Sequence, residues 1–125
     1  MEPEGLYMIS ELKEITASVD FFIYRVEDDS ISLSSTTKRS LGIKCKEKCY
    51  LSNIKSIIVG VDIPGFIHKF GRWLKGDVSE IIQVRVIDAK NEMRTVQIKG
   101  HIRHDENENV VSVYGAFFDI SYLGN

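Results

Sequence analysis

Residues 78–120 read VSEIIQVRVIDAKNEMRTVQIKGHIRHDENENVVSVYGAFFDI, and their alternation decides the fold. Three apolar-alternating runs, 78–88, 93–105 and 110–120, are separated by two polar connections of hairpin length, 88–92 and 105–109. Ile82, Val84 and Val86 fall on one side of the first run, with Gln83 and Arg85 on the other. Val96, Ile98, Gly100 and Ile102 alternate with Gln97, Lys99, His101 and Arg103 in the second. This period of two predicts an antiparallel meander with one covered face and one wetter face. In the third run Val111, Val113, Gly115 and Phe117 share the covered side. Tyr114, Phe118 and Ile120 share the other, which is too apolar to be left to water and predicts a covering helix or a second subunit.

Upstream, residues 64–75 carry a dense helical stripe of Phe66, Ile67, Phe70, Trp73 and Leu74, opened by Pro64 in a first turn and ended by Gly76. Residues 21–26 and 31–35 form a strand hairpin around Glu27-Asp28-Asp29-Ser30, whose side chains suit a turn. Ser35 or Thr36 then caps a short helix that Gly42 stops. Residues 43–53 predict small helical turns, with another short helix over 53–59. Residues 6–19 predict an amphipathic helix through Leu6, Ile9, Leu12, Thr16 and Val19. Two readings stand for it: packing against the sheet, or pairing with its copy in a dimer.

Length and composition bound the function. A chain of 125 residues is one domain, and its 43% hydrophobic and 27% charged content is that of an ordinary soluble fold. A net charge of −2 gives no general pull toward nucleic acid or an anionic membrane surface. No apolar run reaches the roughly 18 residues of a membrane span, and the start lacks a signal-peptide pattern. A cytoplasmic location follows as an expectation, with Cys45 and Cys49 as reduced thiols.

No catalytic constellation is written in the chain. Ser and His are present, but no motif places a base beside a nucleophile. His68 falls roughly 150° around the helix from the apolar stripe, at about 100° per residue, so it reads as a solvated side chain and not a haem ligand. His101 and His104 would lie on opposite faces of a strand, which argues against a metal site.

The ordered set of elements resembles a PAS domain over residues 21–121: a hairpin, several short helices, one longer helix, then three long strands. Ser35 followed by Leu41-Gly42 is similar to the serine and Leu-Gly pair after that family's second strand. Val84-Arg85-Val86 resembles its Tyr-Arg-x strand. Gly115-x-x-x-Asp119-Ile120-Ser121 resembles its closing Gly-x-x-x-Asp-Ile-Thr and is the most specific match. The family's His-Pro-Asp-Asp is replaced by Val59-Gly60-Val61-Asp62, and its Asp-Gly turn by Lys90-Asn91-Glu92. Cys49 is followed by Tyr50-Leu51-Ser52 and not by the Arg-Phe-Leu-Gln of flavin-binding light sensors, whose last-strand glutamine aligns with Phe117. A flavin adduct is therefore not expected, and any other ligand is left unidentified.

The resemblance implies an α+β fold: a five-stranded antiparallel sheet, short helices and one longer helix over one face, plus an N-terminal helix. Residues 1–20 would be that flanking helix, 21–121 the PAS domain and 122–125 the start of an output linker. The implied role is a non-catalytic sensory and dimerisation module, cut from a longer chain that ends in a histidine kinase or a diguanylate cyclase. Val84, Val86, Val96, Ile98, Val111, Val113 and Phe117, with Phe70 and Trp73 from the helix, would line a pocket for a small apolar or mixed-polarity ligand. The plainer reading is that they are simply core. A homodimer through the N-terminal helix and the sheet is the expected assembly.

Overall fold

A computed structural model describes residues 19–121. The 1–18 stretch, with most of the expected flanking helix, lies outside the described residues, as does 122–125. Strands are β1 (Val19–Arg25), β2 (Ser30–Leu33), β3 (Cys49–Tyr50), β4 (Ile82–Ile87), β5 (Met93–His104) and β6 (Val110–Asp119). Helices are α1 (Ser35–Leu41), α2 (Leu51–Lys55) and α3 (Ile63–Leu74), the last preceded by a 3-10 turn, Gly60–Asp62.

All six strands join one antiparallel sheet in the order β3-β2-β1-β6-β5-β4. The sixth strand corrects the expected five. Cys49 and Tyr50 pair with Ile31 and Ser30, where helical turns were expected. Only Cys49 alternates inward there, and the Lys-rich flank masks so short a strand. β1 also begins at Val19, inside the stretch expected to be helical, because pairing with β6 continues through Val19↔Phe118 and Asp20↔Phe117.

Local chemistry sets the element ends. Ser34, not Ser35 or Thr36, caps α1: its Oγ accepts from the Thr37 amide at 3.0 Å. Gly42 ends the helix at φ +72°, while the Ile43 amide bonds back to the Lys38 carbonyl at 2.9 Å. The two long hairpins share one device. Asp88 Oδ1 accepts from the amides of Lys90 and Glu92, and Asp105 Oδ1 from those of Asn107 and Asn109. Asn91 and Glu108 take the left-handed conformation each turn needs, at φ +62° and +63°.

The margin of β4 is covered. Residues 57–59 run beside it, with Val59 N–H bonding the Arg85 carbonyl and Ile87 N–H the Ile57 carbonyl, each at 2.9 Å. Asp62 ties the start of α3 to the same strand, accepting from the Arg85 amide (2.8 Å), Nε (3.0 Å) and Nη2 (2.8 Å). The concave inner face thus packs on α2 and α3, and the core sits between them.

The cysteines depart from expectation as well. Cys45 and Cys49 are joined as a disulfide, with Cα atoms 5.2 Å apart, within the usual span for a bridge. The turn between α1 and β3 brings the two residues back on each other.

Candidate functional site

The inner face is where the resemblance places a ligand. Eight of the nine expected residues meet there in one apolar cluster: Val84, Val86, Val96, Ile98, Val113, Phe117, Phe70 and Trp73 are all buried. Val111 stands apart. The register slips between Arg103, opposite Ser112, and His104, opposite Val110, so Val111 is the extra residue of a bulge. It is half-buried beside Ile23, Arg25 and Arg103, outside the cluster. Alternation counted straight through the strand misses this.

Sequence reasoning also passed over two aromatics of the cup, Phe22 and Tyr24 on β1. Phe22 stacks on Phe117 with ring centroids 4.9 Å apart, and Tyr24 meets Phe70 edge-on at 5.0 Å. Phe66 and Trp73 flank Phe70 at 5.7 and 5.9 Å. The alternation of Phe22 and Tyr24 along β1 was the available signal. The Tyr24 hydroxyl donates to Asp29 Oδ1 at 2.6 Å, and burial, then this carboxylate, push its pKa up.

Trp73 is the centre of the packing, 1% exposed. Its Nε1 donates to the Glu80 carbonyl at 2.9 Å. Its ring lies on Gly100, which pairs directly with Gly115 on β6. The enclosed space left among Phe22, Ile54, Phe66, Trp73 and Phe117 is about 20 Å³, whereas pockets that hold drug-sized ligands run about 300–1,000 Å³. As placed here, the expected pocket residues fill the cup with their own side chains.

A second cavity, of about 190 Å³ and mixed polarity, opens between α1 and the end of the sheet, lined by Thr36, Thr37, Ser40, Arg94 and Asp119 together with Leu41, Val96 and Phe117. Arg94 is its chemical centre. Nε donates to Asp119 Oδ2 at 2.6 Å, Nη2 pairs with the same oxygen, and Nη1 reaches Asp88 Oδ2 at 3.3 Å. Asp119 Oδ1 accepts from the Ser121 amide at 2.9 Å, and Ser121 Oγ from the Thr95 amide at 2.8 Å. One guanidinium therefore joins a hairpin turn to the chain's C-terminal exit.

The outer face is a third candidate. Phe21, Ile23 and Tyr114 are 61%, 44% and 46% exposed. With Phe118, Ala116, Lys99 and His101 they line a groove of about 410 Å³, and His101 stacks on Tyr114 at 5.6 Å. His68 and His104 are exposed elsewhere. Among the described residues, no three His, Cys, Asp or Glu side chains are placed to hold a metal, and no helix is long and apolar enough to cross a membrane.

With this geometry in hand, comparison with solved structures defines the class: the chain has the PAS fold. It is similar to the N-terminal domain of a diguanylate cyclase with a PAS/PAC sensor from Marinobacter aquaeolei (TM-score 0.75, 12% identity, 86% of this chain and 100% of that one). It is similar to a domain of the putative light and redox sensing histidine kinase from Haloarcula marismortui (TM-score 0.71, 19% identity, 91% and 98%). A sensory box histidine kinase/response regulator from Burkholderia thailandensis matches at TM-score 0.70 and 14% identity over 91% and 86%. No family model matches the sequence, and no curated protein does.

Proposed function

We propose that this chain is a non-catalytic sensory and dimerisation module of the PAS type, acting on an attached histidine kinase or diguanylate cyclase in the bacterial cytoplasm. The observation that carries this reading is the Arg94 bridge. It holds Asp119, two residues before Ser121, where the chain leaves the sheet, and it borders a cavity of mixed polarity. A small polar ligand entering there competes with Asp119 for the guanidinium, so occupancy and the hold on the exit are coupled. The apolar outer face of β1 and β6 is the surface across which a second copy would pair.

A second reading has its own support. The nearly filled cup favours an interaction module that carries no ligand and works through its outer face alone. Native mass spectrometry of the protein purified from cells separates the two. A dimer carrying a small adduct, lost in Arg94→Met, fits the sensor; an empty dimer fits the interaction module. Ile23→Glu on the outer face should give a folded monomer in either case. A protein that is monomeric and empty at high micromolar concentration would sink both.

A further inference from the structure

The Cys45–Cys49 bridge has surroundings that a plain structural staple does not need. Cys45 is half-buried, while Cys49 is 4% exposed and held in β3. Cys45 lines a surface groove of about 690 Å³ together with Lys38, Arg39, Lys44 and Lys46, and no carboxylate lines it. Glu47, in the same loop, is not among the lining residues, and Lys48 is engaged with Asp28 at 2.7 Å. Four cations share the groove with this half-buried sulfur, and a basic surrounding of that kind favours a thiolate, the form that reacts. The disulfide is also the link between a Lys-rich turn and the two-residue edge strand that leads into α2, one wall of the cup.

We propose that Cys45 and Cys49 are a redox-reactive dithiol that reduces a small hydroperoxide and thereby switches the β3 margin between a bridged and an open form. The Cys45 thiolate attacks the peroxide, forming an S–O bond while the O–O bond breaks; the leaving oxygen departs protonated, as water or an alcohol. Cys49 then attacks the Cys45 sulfur of the sulfenic acid. The S–S bond forms, the S–O bond breaks, and hydroxide leaves with the Cys49 proton as water. Two thiols give up two hydrogens, and the peroxide takes the two electrons. The roles follow from access: the open sulfur meets the oxidant, and the enclosed one resolves. None of this rests on the sensory reading, since neither Arg94 nor the outer face takes part.

The test begins with the whole chain reduced by dithiothreitol under native conditions and then treated with hydrogen peroxide. Two alkylatable thiols should disappear together, with the mass loss of two hydrogens and no dimer. Cys49→Ser should trap a sulfenic acid on Cys45 that a dimedone probe labels, whereas Cys45→Ser should leave Cys49 unlabelled. Lys44→Glu with Lys46→Glu, both at the surface, should slow oxidation of the otherwise native protein by about threefold or more, the change in thiolate population that half a pKa unit brings. Three results would overturn the proposal: a bridge that dithiothreitol cannot open in the folded protein, sulfenic acid on Cys49 instead of Cys45, or a rate indifferent to the two charge reversals.

Discussion

The indole of Trp73 rests on the backbone of Gly100, so closely that a Cβ built on the glycine would stand 2.6 Å from Trp73 Cζ3. The ring has little freedom to retreat, because its Nε1 is bonded to the Glu80 carbonyl. Gly100→Ala should therefore destabilise the domain by about 1–3 kcal/mol, the usual cost of overpacking a filled core. Urea denaturation followed by tryptophan fluorescence measures it. A neutral Gly100→Ala would mean that the ring is not wedged.

The converse substitution opens the cup. Trp73→Ala should cost about 3–5 kcal/mol, in the range for large aromatic truncations. The space it leaves is walled by apolar side chains with the Glu80 carbonyl at one edge, and a mostly apolar cavity of that kind accepts small rings. Added indole should raise the melting temperature of Trp73→Ala and leave the parent protein unchanged. Equal shifts in both would place the binding elsewhere.

At the exit, Asp119→Asn removes the charge that Arg94 grips while keeping the size and shape of the side chain. The loss should be about 1.5–3 kcal/mol, as for hydrogen bonds to charged groups. Hydrogen exchange should quicken at Ile120, whose amide donates to the Thr95 carbonyl at 2.9 Å, and at Thr95, whose amide donates to Ser121 Oγ at 2.8 Å, before it quickens in β4. Uniform acceleration across the sheet would argue for a general core defect instead.

Acid should act through particular carboxylates. Asp62 titrates below the 3.8 of an unperturbed aspartate because the Arg85 side chain, then its amide, bond the charged form. Asp88 is lowered by the Glu92 amide first, then by Lys90 and Arg94. A folded-state pKa below the unfolded one means that the unfolded chain takes up protons first. The stabilisation is thus complete above 3.8 and is lost as pH falls through the lowered folded values. Asp62→Asn should melt lower at neutral pH and lose less on acidification. Parallel melting curves for the two proteins would remove Asp62 from the account.

Much of this fold is legible because strand alternation is local. Ile82, Val84 and Val86, or Val96 and Ile98, announce their inner face without reference to anything distant, and the Asp-led turns announce themselves too. What stayed hidden depends on pairing. Val111 looks inward until the slip between Arg103 and His104 is known. The seat of Trp73 needs Gly100 opposite Gly115, a register that no single strand carries. Four successive hydroxyl residues, Ser34 to Thr37, leave the cap of α1 ambiguous by a residue. The cysteines read as free thiols until the turn between them is folded. For the candidate site, strand alternation and the helical stripe named most of the residues in the cup but not how completely they fill it.

The short run of chain at residues 57–59 reaches beyond its own neighbourhood. By lying along β4 it satisfies hydrogen-bonding groups that would otherwise recruit a foreign strand. The opposite border is a strand of two residues, too brief to template much. Fibril-like, rim-to-rim stacking of this protein is thereby disfavoured, and on the pairing proposed above copies that meet at high concentration would do so broadside, across β1 and β6. Concentrated solutions should accordingly contain discrete pairs, not growing polymers.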